Sequence, residues 1–252
     1  MANPYGNFTT FVVRFGRVQG LERHLDRLRR DATLLFGQAP DLEAVRRQVI
    51  ETAGMSGRPV ICRVDVYNPE FSLAQPETES APRTRVVLRQ VEHQGTDATG
   101  GAALRLRLTH AKRSLPKVKH VSLAPALFAR VRARRAGYDD CLFVDPITGA
   151  VLEGPTWSVG FVRSRPAGHE VVWPSAEDKL ASVTRGLIQL PRDRVIEVTE
   201  ASLGEYAAAF ALDSGHGVRP IAAIGETKFD PRHPGIVEVT GRLAAAPWEA
   251  IL

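Results

Sequence analysis

The feature that most constrains the fold is a succession of short alternating runs, interrupted by single helix-like segments. FTTFVVRFGRVQG (8–20) alternates and ends in glycine, which predicts a strand, a turn and a second short strand. LERHLDRLRRDATLLFG follows, with Leu21, Leu25, Leu28, Leu34 and Leu35 near one helix face and Gly37 as the stop. A second helix is expected over 41–53, opened by Asp41 as its cap. RPVICRVDVY and TRVVLRQVE read as strands on either side of a polar loop at 68–84. Beyond the glycine-rich DATGG another strand runs on and breaks at Pro116.

The second half repeats this alternation. APALFARVRARRAG is a helix with a glycine stop, and CLFVD and AVLEG form a hairpin across PITG. VGFVRS, EVVWP, VIEVTEA and AAAFALDS read as strands, and SVTRGLIQLP opens a helix. Short strands mixed with isolated helices argue for an α+β fold, not a doubly wound parallel sheet. A domain boundary falls near Pro116. It leaves a smaller N-terminal domain over 1–108, a linker over 109–117 and a larger C-terminal domain over 118–252. No GxGxxG or GxxxxGK[ST] sequence occurs, so neither a dinucleotide fingerprint nor a P-loop is supported.

The formal charge of +5 comes from a chain with only five lysines among its 33 basic residues. Most arginines lie in runs such as RHLDRLRRD and RVRARRAG, mixed with apolar residues at helical spacing. They read as solvated helix faces and ion-pair partners. Aromatic residues do not interleave with them, which argues against nucleic-acid binding. Cys62 and Cys141 cannot make a disulfide framework and stand in no metal-ligand spacing. The N-terminus lacks the apolar core of a signal peptide, and the longest apolar runs are too short to span a bilayer. A soluble cytoplasmic protein is expected.

Chemistry concentrates in VKHVSLAPALFARVRARRAGYDDCLFVDPITGAVLEG, which carries Lys119 before a helix and Glu153 after the hairpin. A lysine amine can form a Schiff base with an aldehyde, and a carboxylate can hold a pyridine nitrogen protonated. A pyridoxal phosphate enzyme needs both from its protein. Lys117 competes with Lys119 at an offset of two, and in a strand both would point to the same face, so spacing alone does not separate them.

In this order the motifs resemble the class IV aminotransferases, pyridoxal phosphate fold type IV, over nearly the whole chain. The resemblance implies two small α/β domains with the cofactor site between them, and it selects Lys119 as the Schiff-base lysine that holds the cofactor as an internal aldimine. YGNFTTFVV stands for the family's opening strand, and His24-Leu25-Asp26-Arg27 for its H-x-x-R motif, with Arg27 on the cofactor phosphate. Glu153 takes the place of the carboxylate beside the pyridine nitrogen. Five residues on, where the family has asparagine, this chain has Ser158. Ser182-Val183-Thr184-Arg185 resembles the family's G-I-T-R segment, and Ser214-Gly215 its late hydroxyl-bearing loop. Ser158, Val183, Thr184, Ser214 and Gly215 are thus further cofactor contacts by resemblance.

Two departures bear on the substrate. Family members have an additional strand pair before the FxT segment, so the N-terminal domain is expected to be trimmed. Where the family often has an arginine-glycine pair for a carboxylate, this chain has Tyr67-Asn68. Tyr67, Arg113 and His216 are the candidate substrate-binding residues, with Arg63 and Arg219 as further candidates for a carboxylate. The resemblance implies an aminotransferase that moves an amino group between a small amino donor and a keto acid acceptor, working as a homodimer. A lyase resembling 4-amino-4-deoxychorismate lyase would use the same lysine and release pyruvate; Phe8-Thr9-Thr10 looks like that group's opening strand. A non-catalytic member that keeps only the fold is the third reading.

Overall fold

A computed structural model describes residues 5–53, 56–91 and 102–252. The opening MANP and the glycine-rich stretch 97–101 lie outside the described residues. β1 (Gly6–Val13) and β2 (Arg17–Gln19) lead into α1 (Leu21–Phe36) and α2 (Leu42–Ala53), followed by β3 (Val60–Tyr67), β4 (Arg83–Gln90) and β5 (Leu104–His110). Then come α3 (Ala124–Arg135), β6 (Asp140–Val144), β7 (Ser158–Arg165), β8 (Gly168–Pro174), α4 (Val183–Gly186) and β9 (Asp193–Ile196). A 3₁₀ turn (Glu200–Glu205) precedes β10 (Ala208–Asp213), β11 (Gly217–Ile224), β12 (Thr227–Lys228), α5 (Pro234–Ala244) and β13 (Trp248–Ala250). Among the described residues no helix is long and apolar enough to cross a membrane.

The chain divides into two compact units. One comprises Met1–His93, Val118–Leu123 and Pro247–Leu252; the other comprises Gln94–Lys117 and Ala124–Ala246. This partition differs from the boundaries expected at 1–108 and 118–252, because backbone pairing and not chain order sets it. β5 pairs in parallel with β6 and β11 and so belongs to the second unit, taking residues 109 and 110 with it. Residues 119–121 bond to β1, and β13 pairs with β2, so both pieces belong to the first.

In the first unit β1, β3 and β4 form an antiparallel sheet in that order. α1 lays Leu21, Leu25, Leu28, Ala32 and Phe36 into the core over this sheet. Those intervals of three and four residues follow one helix face. Leu34, expected on that face, is 69% exposed, since the stripe has passed to Ala32 and Phe36 by then. Gly37 ends α1 in a left-handed conformation (φ 71°), and Asp41 caps α2 by accepting from the Ala44 N–H at 3.0 Å.

The second unit is built on a mixed sheet with the order β6-β5-β11-β10-β7-β8-β9, and β12 beside β11. β10 sits at its centre, reads AAFALD and is buried almost throughout. Both its faces are covered: Ala209 and Ala211 join one apolar cluster, and Ala208, Phe210 and Leu212 join another. The hairpin expected across PITG is present. Asp145 Oδ1 accepts from the N–H groups of Ile147 and Thr148 at 2.8 and 3.0 Å, and Val144 bridges Val151. The helix expected from Ser182 is a single turn, α4, capped by the Ser182 hydroxyl. The strand expected over VIEVTEA stops at Ile196, and Thr199 with Ser202 forms a capping box that starts the 3₁₀ turn.

Candidate active site

In the first unit, Lys119 lies on the extended segment that borders β1. Its carbonyl accepts from the Phe8 N–H at 2.9 Å, the Val121 N–H donates to Gly6 O at 2.9 Å, and Asn7 bridges His120. On its other side Gly6 meets β3, where an added Cβ would stand 2.4 Å from Val66 O. The Lys119 amide does not join the ladder. It donates to Asp31 Oδ2 at 2.9 Å. The Lys119 Nζ stands 4.9 Å from the centroid of the Phe8 ring, and the Arg63 guanidinium lies 3.9 Å from the same centroid. Asp65, almost fully buried, accepts from Arg63 Nε at 2.6 Å and from Arg85 Nη2 at 2.8 Å. Lys117 belongs to the other unit and is largely exposed, 4.0 Å from Glu177.

Arg27 is buried on the inner face of α1. Its Nη2 donates to Thr9 Oγ1 at 2.6 Å and reaches His24 Nδ1 at 3.3 Å, while the Thr9 hydroxyl lies 2.7 Å from that same nitrogen. A neutral ring with its proton on Nε2 suits these contacts: Arg27 donates to Thr9 Oγ1, and the Thr9 hydroxyl then donates a hydrogen bond to the bare His24 Nδ1. Burial first, and then the charges of Arg27 and Lys119, hold the His24 pKa well below its ordinary 6.5. Burial also lowers Arg27 to about 10, partly offset by Asp31. The Arg27 Nε is buried with no hydrogen-bond partner.

In the second unit, Glu153 ends the hairpin strand, and its carbonyl accepts from the Phe143 N–H at 2.9 Å. Its buried carboxylate accepts from Arg113 Nη1 at 3.2 Å and from the Leu180 N–H at 3.3 Å. Arg113, expected at a substrate carboxylate, thus pairs with Glu153. Next to it Gly154 leaves room for Trp157: a Cβ there would stand 2.0 Å from the indole, which donates its Nε1–H to Asp140 at 2.8 Å. Lys179 is half-buried, and burial with the charge of Arg185 lowers its pKa to about 8, against the pull of Glu153.

Thr184 is buried, and its hydroxyl lies 2.8 Å from that of Ser214, so the structure brings these two expected residues together. Val183 is buried beside it at the start of α4. Gly215, expected to offer its N–H to the cofactor, donates it to Asp213 Oδ1 at 2.8 Å. His216 is exposed, with Nδ1 3.1 Å from the same oxygen, and Arg219 Nη2 donates to Asp213 Oδ2 at 3.2 Å. His216 and its partners hold the Asp213 pKa low against the opposing effect of burial. Ser158 opens β7 opposite Leu212. In the first unit, Tyr67 pairs with Gly6 and Arg83 at the end of β3. Asn68 is spent on its own loop, donating to Thr78 O at 2.6 Å and accepting from the Glu70 N–H at 2.8 Å.

Thr9, Asp31 and Lys179 were not anticipated as site residues. The one available signal was on α1, where His24, Arg27 and Asp31 interrupt the apolar stripe at intervals of three and four. Polar residues on a core face need partners.

Mixed strands with few helices are the architecture of the pyridoxal phosphate fold of type IV. A profile described as amino-transferase class IV matches residues 6–224, and the chain belongs to that family. A hypothetical aminotransferase from Mycobacterium tuberculosis in its PLP-bound form superposes with a TM-score of 0.81 at 20% identity, over 96% of this chain and 88% of that one. A structure described as a candidate 4-amino-4-deoxychorismate lyase from Legionella pneumophila gives 0.80 at 19% identity, over 96% and 91%. The chloroplastic D-amino-acid transaminase of Arabidopsis thaliana is 23% identical over an alignment 253 positions long, which covers 90% of this chain and 65% of that protein.

Pyridoxal phosphate is the cofactor of this family, and the donors on each unit suit it. Arg27 has a buried nitrogen without a partner, as a phosphate-binding guanidinium would. Thr184 and Ser214 offer paired hydroxyls, and Glu153 offers a buried carboxylate.

Proposed function

We propose that the chain is a pyridoxal phosphate-dependent aminotransferase. What carries this reading is the family match over residues 6–224, together with a lysine and a buried carboxylate in the family's order. When bound, pyridoxal phosphate supplies an aldehyde that captures amines and a ring that withdraws electrons from the substrate carbon. Lys119 Nζ would be the amine that holds that aldehyde, and as a free base it would carry the proton from the substrate carbon to the former aldehyde carbon of the cofactor. Glu153 would hold the pyridine nitrogen protonated, and Arg113 Nη1, 3.2 Å from its carboxylate, holds it in place. Arg27, Thr184 and Ser214 hold the phosphate. Arg63, paired with Asp65 and lying over the Phe8 ring that the lysine amine also faces, is our candidate for a substrate carboxylate. Small amino donors and keto acid acceptors, a homodimer and a cytoplasmic setting complete the reading.

The test is the visible spectrum of protein reconstituted with pyridoxal phosphate, before and after glutamate or alanine. The lysine-bound band should appear, vanish in Lys119→Ala, and give way to pyridoxamine phosphate with a competent donor. Wild-type protein that shows no band in excess cofactor would sink the proposal. A second reading, a lyase on the same lysine, is favoured by the likeness to the Legionella structure and by Phe8-Thr9-Thr10. A stable band with pyruvate released from an amino-deoxychorismate, and no pyridoxamine phosphate formed, would select it.

A further inference from the structure

The Lys119 amide is the place where the segment bordering β1 leaves the ladder. With Asn7 opposite His120, a regular antiparallel ladder would send the Lys119 N–H to the Phe8 carbonyl, completing the pair begun by Phe8 N–H and Lys119 O. Asp31 Oδ2 takes that N–H at 2.9 Å instead. Asp31 is 1% exposed, and its other oxygen accepts from Arg30 Nε and Nη2 at 3.0 and 2.8 Å. A carboxylate makes a stronger acceptor than a carbonyl for a backbone N–H. Asp31 also stands one helical turn beyond Arg27 on the same face of α1.

We propose that Asp31 is a positioning residue that fixes the main chain of Lys119, so that the amine moves without its backbone following. The purpose rests on the reading of Lys119 given above; the contact does not. α1 then carries two tasks on one rigid element: Arg27 for the phosphate and Asp31 for the reactive lysine's backbone. A lysine that must attach to the cofactor, detach and carry protons needs its Cα held while its side chain changes place.

Two measurements test this separately. Hydrogen exchange of the cofactor-free protein reads the Lys119 amide directly. Protection is expected in wild type and in Asp31→Asn, whose side-chain oxygen still accepts, and exchange about tenfold faster is expected in Asp31→Ala. Borohydride trapping of pyridoxal phosphate, with the modified lysine located by mass spectrometry, reads the role. Trapping at Lys119 should slow about tenfold in Asp31→Ala and stay within about threefold of wild type in Asp31→Asn. An unprotected Lys119 amide in wild type overturns the proposal without any variant, as does an alanine variant that traps at the wild-type rate. A protected amide with no trapping at Lys119 in wild type removes the role by refuting the reading of the lysine.

Discussion

The charged pairs inside each unit are asymmetric in their consequences. Glu153 and Arg113 are both nearly buried, so removing one takes a close opposite charge from the other. Arg113→Ala is expected to cost about 3 kcal/mol in denaturant unfolding, whereas Arg113→Met combined with Glu153→Gln should cost less than that single change. The outcome would also separate Arg113's service to Glu153 from the substrate role its position in the sequence first suggested. Some of these residues were legible and some were not, for a physical reason. His24, Arg27, Lys119 and Glu153 stand in short motifs whose chemistry is local. Asp31 and Thr9 act through partners that no spacing displays: the Asp31 carboxylate meets an amide 88 residues away along the chain. An aspartate in RLRRDA reads as one more solvated charge until the fold brings a backbone N–H to it.

The elements differ in how strongly pattern alone determines them. α1 is held by its apolar face, so Leu28→Ala should cost about 2–5 kcal/mol in equilibrium unfolding, while Leu34→Lys should stay within about 0.5 kcal/mol. The stripe was legible, but its end was not, because Leu34-Leu35-Phe36 offers three adjacent apolar residues and the helix buries Phe36 most deeply. α4 was over-read: an N-cap serine announces a helix start and says nothing of its length. The hairpin ending in Glu153 depends on the space at Gly154. Gly154→Ala drives a methyl group into the Trp157 indole and should displace the Trp157–Asp140 hydrogen bond. Intrinsic tryptophan fluorescence should shift, and cofactor affinity should fall with it. The outer strand β4 ends the first sheet with Arg83, Arg85 and Arg89 among its residues, charges that discourage a further strand from adding there.

At the scale of the whole molecule, the buried histidine makes stability depend on pH. His24 has a folded pKa well below 6.5, so below that pH the unfolded chain binds a proton that the folded one refuses. Stability is therefore complete above pH 6.5 and falls as pH drops from there toward the lowered folded value, at up to about 1.4 kcal/mol per pH unit. Urea midpoints measured from pH 7.5 down to 5 should show this slope, and His24→Gln should flatten it. The α+β class was legible from the rhythm of short strands and single helices. The partition into units was not, because it is written in pairings between distant stretches. Arg17 of β2 donates to the carbonyl of Trp248, 231 residues further on. That contact gives the first unit a particular history during synthesis. At about 5–20 residues per second a ribosome needs roughly 10–50 s to make the intervening chain. Until then β2 is without its partner, so the unit that carries Lys119 is begun first and completed last.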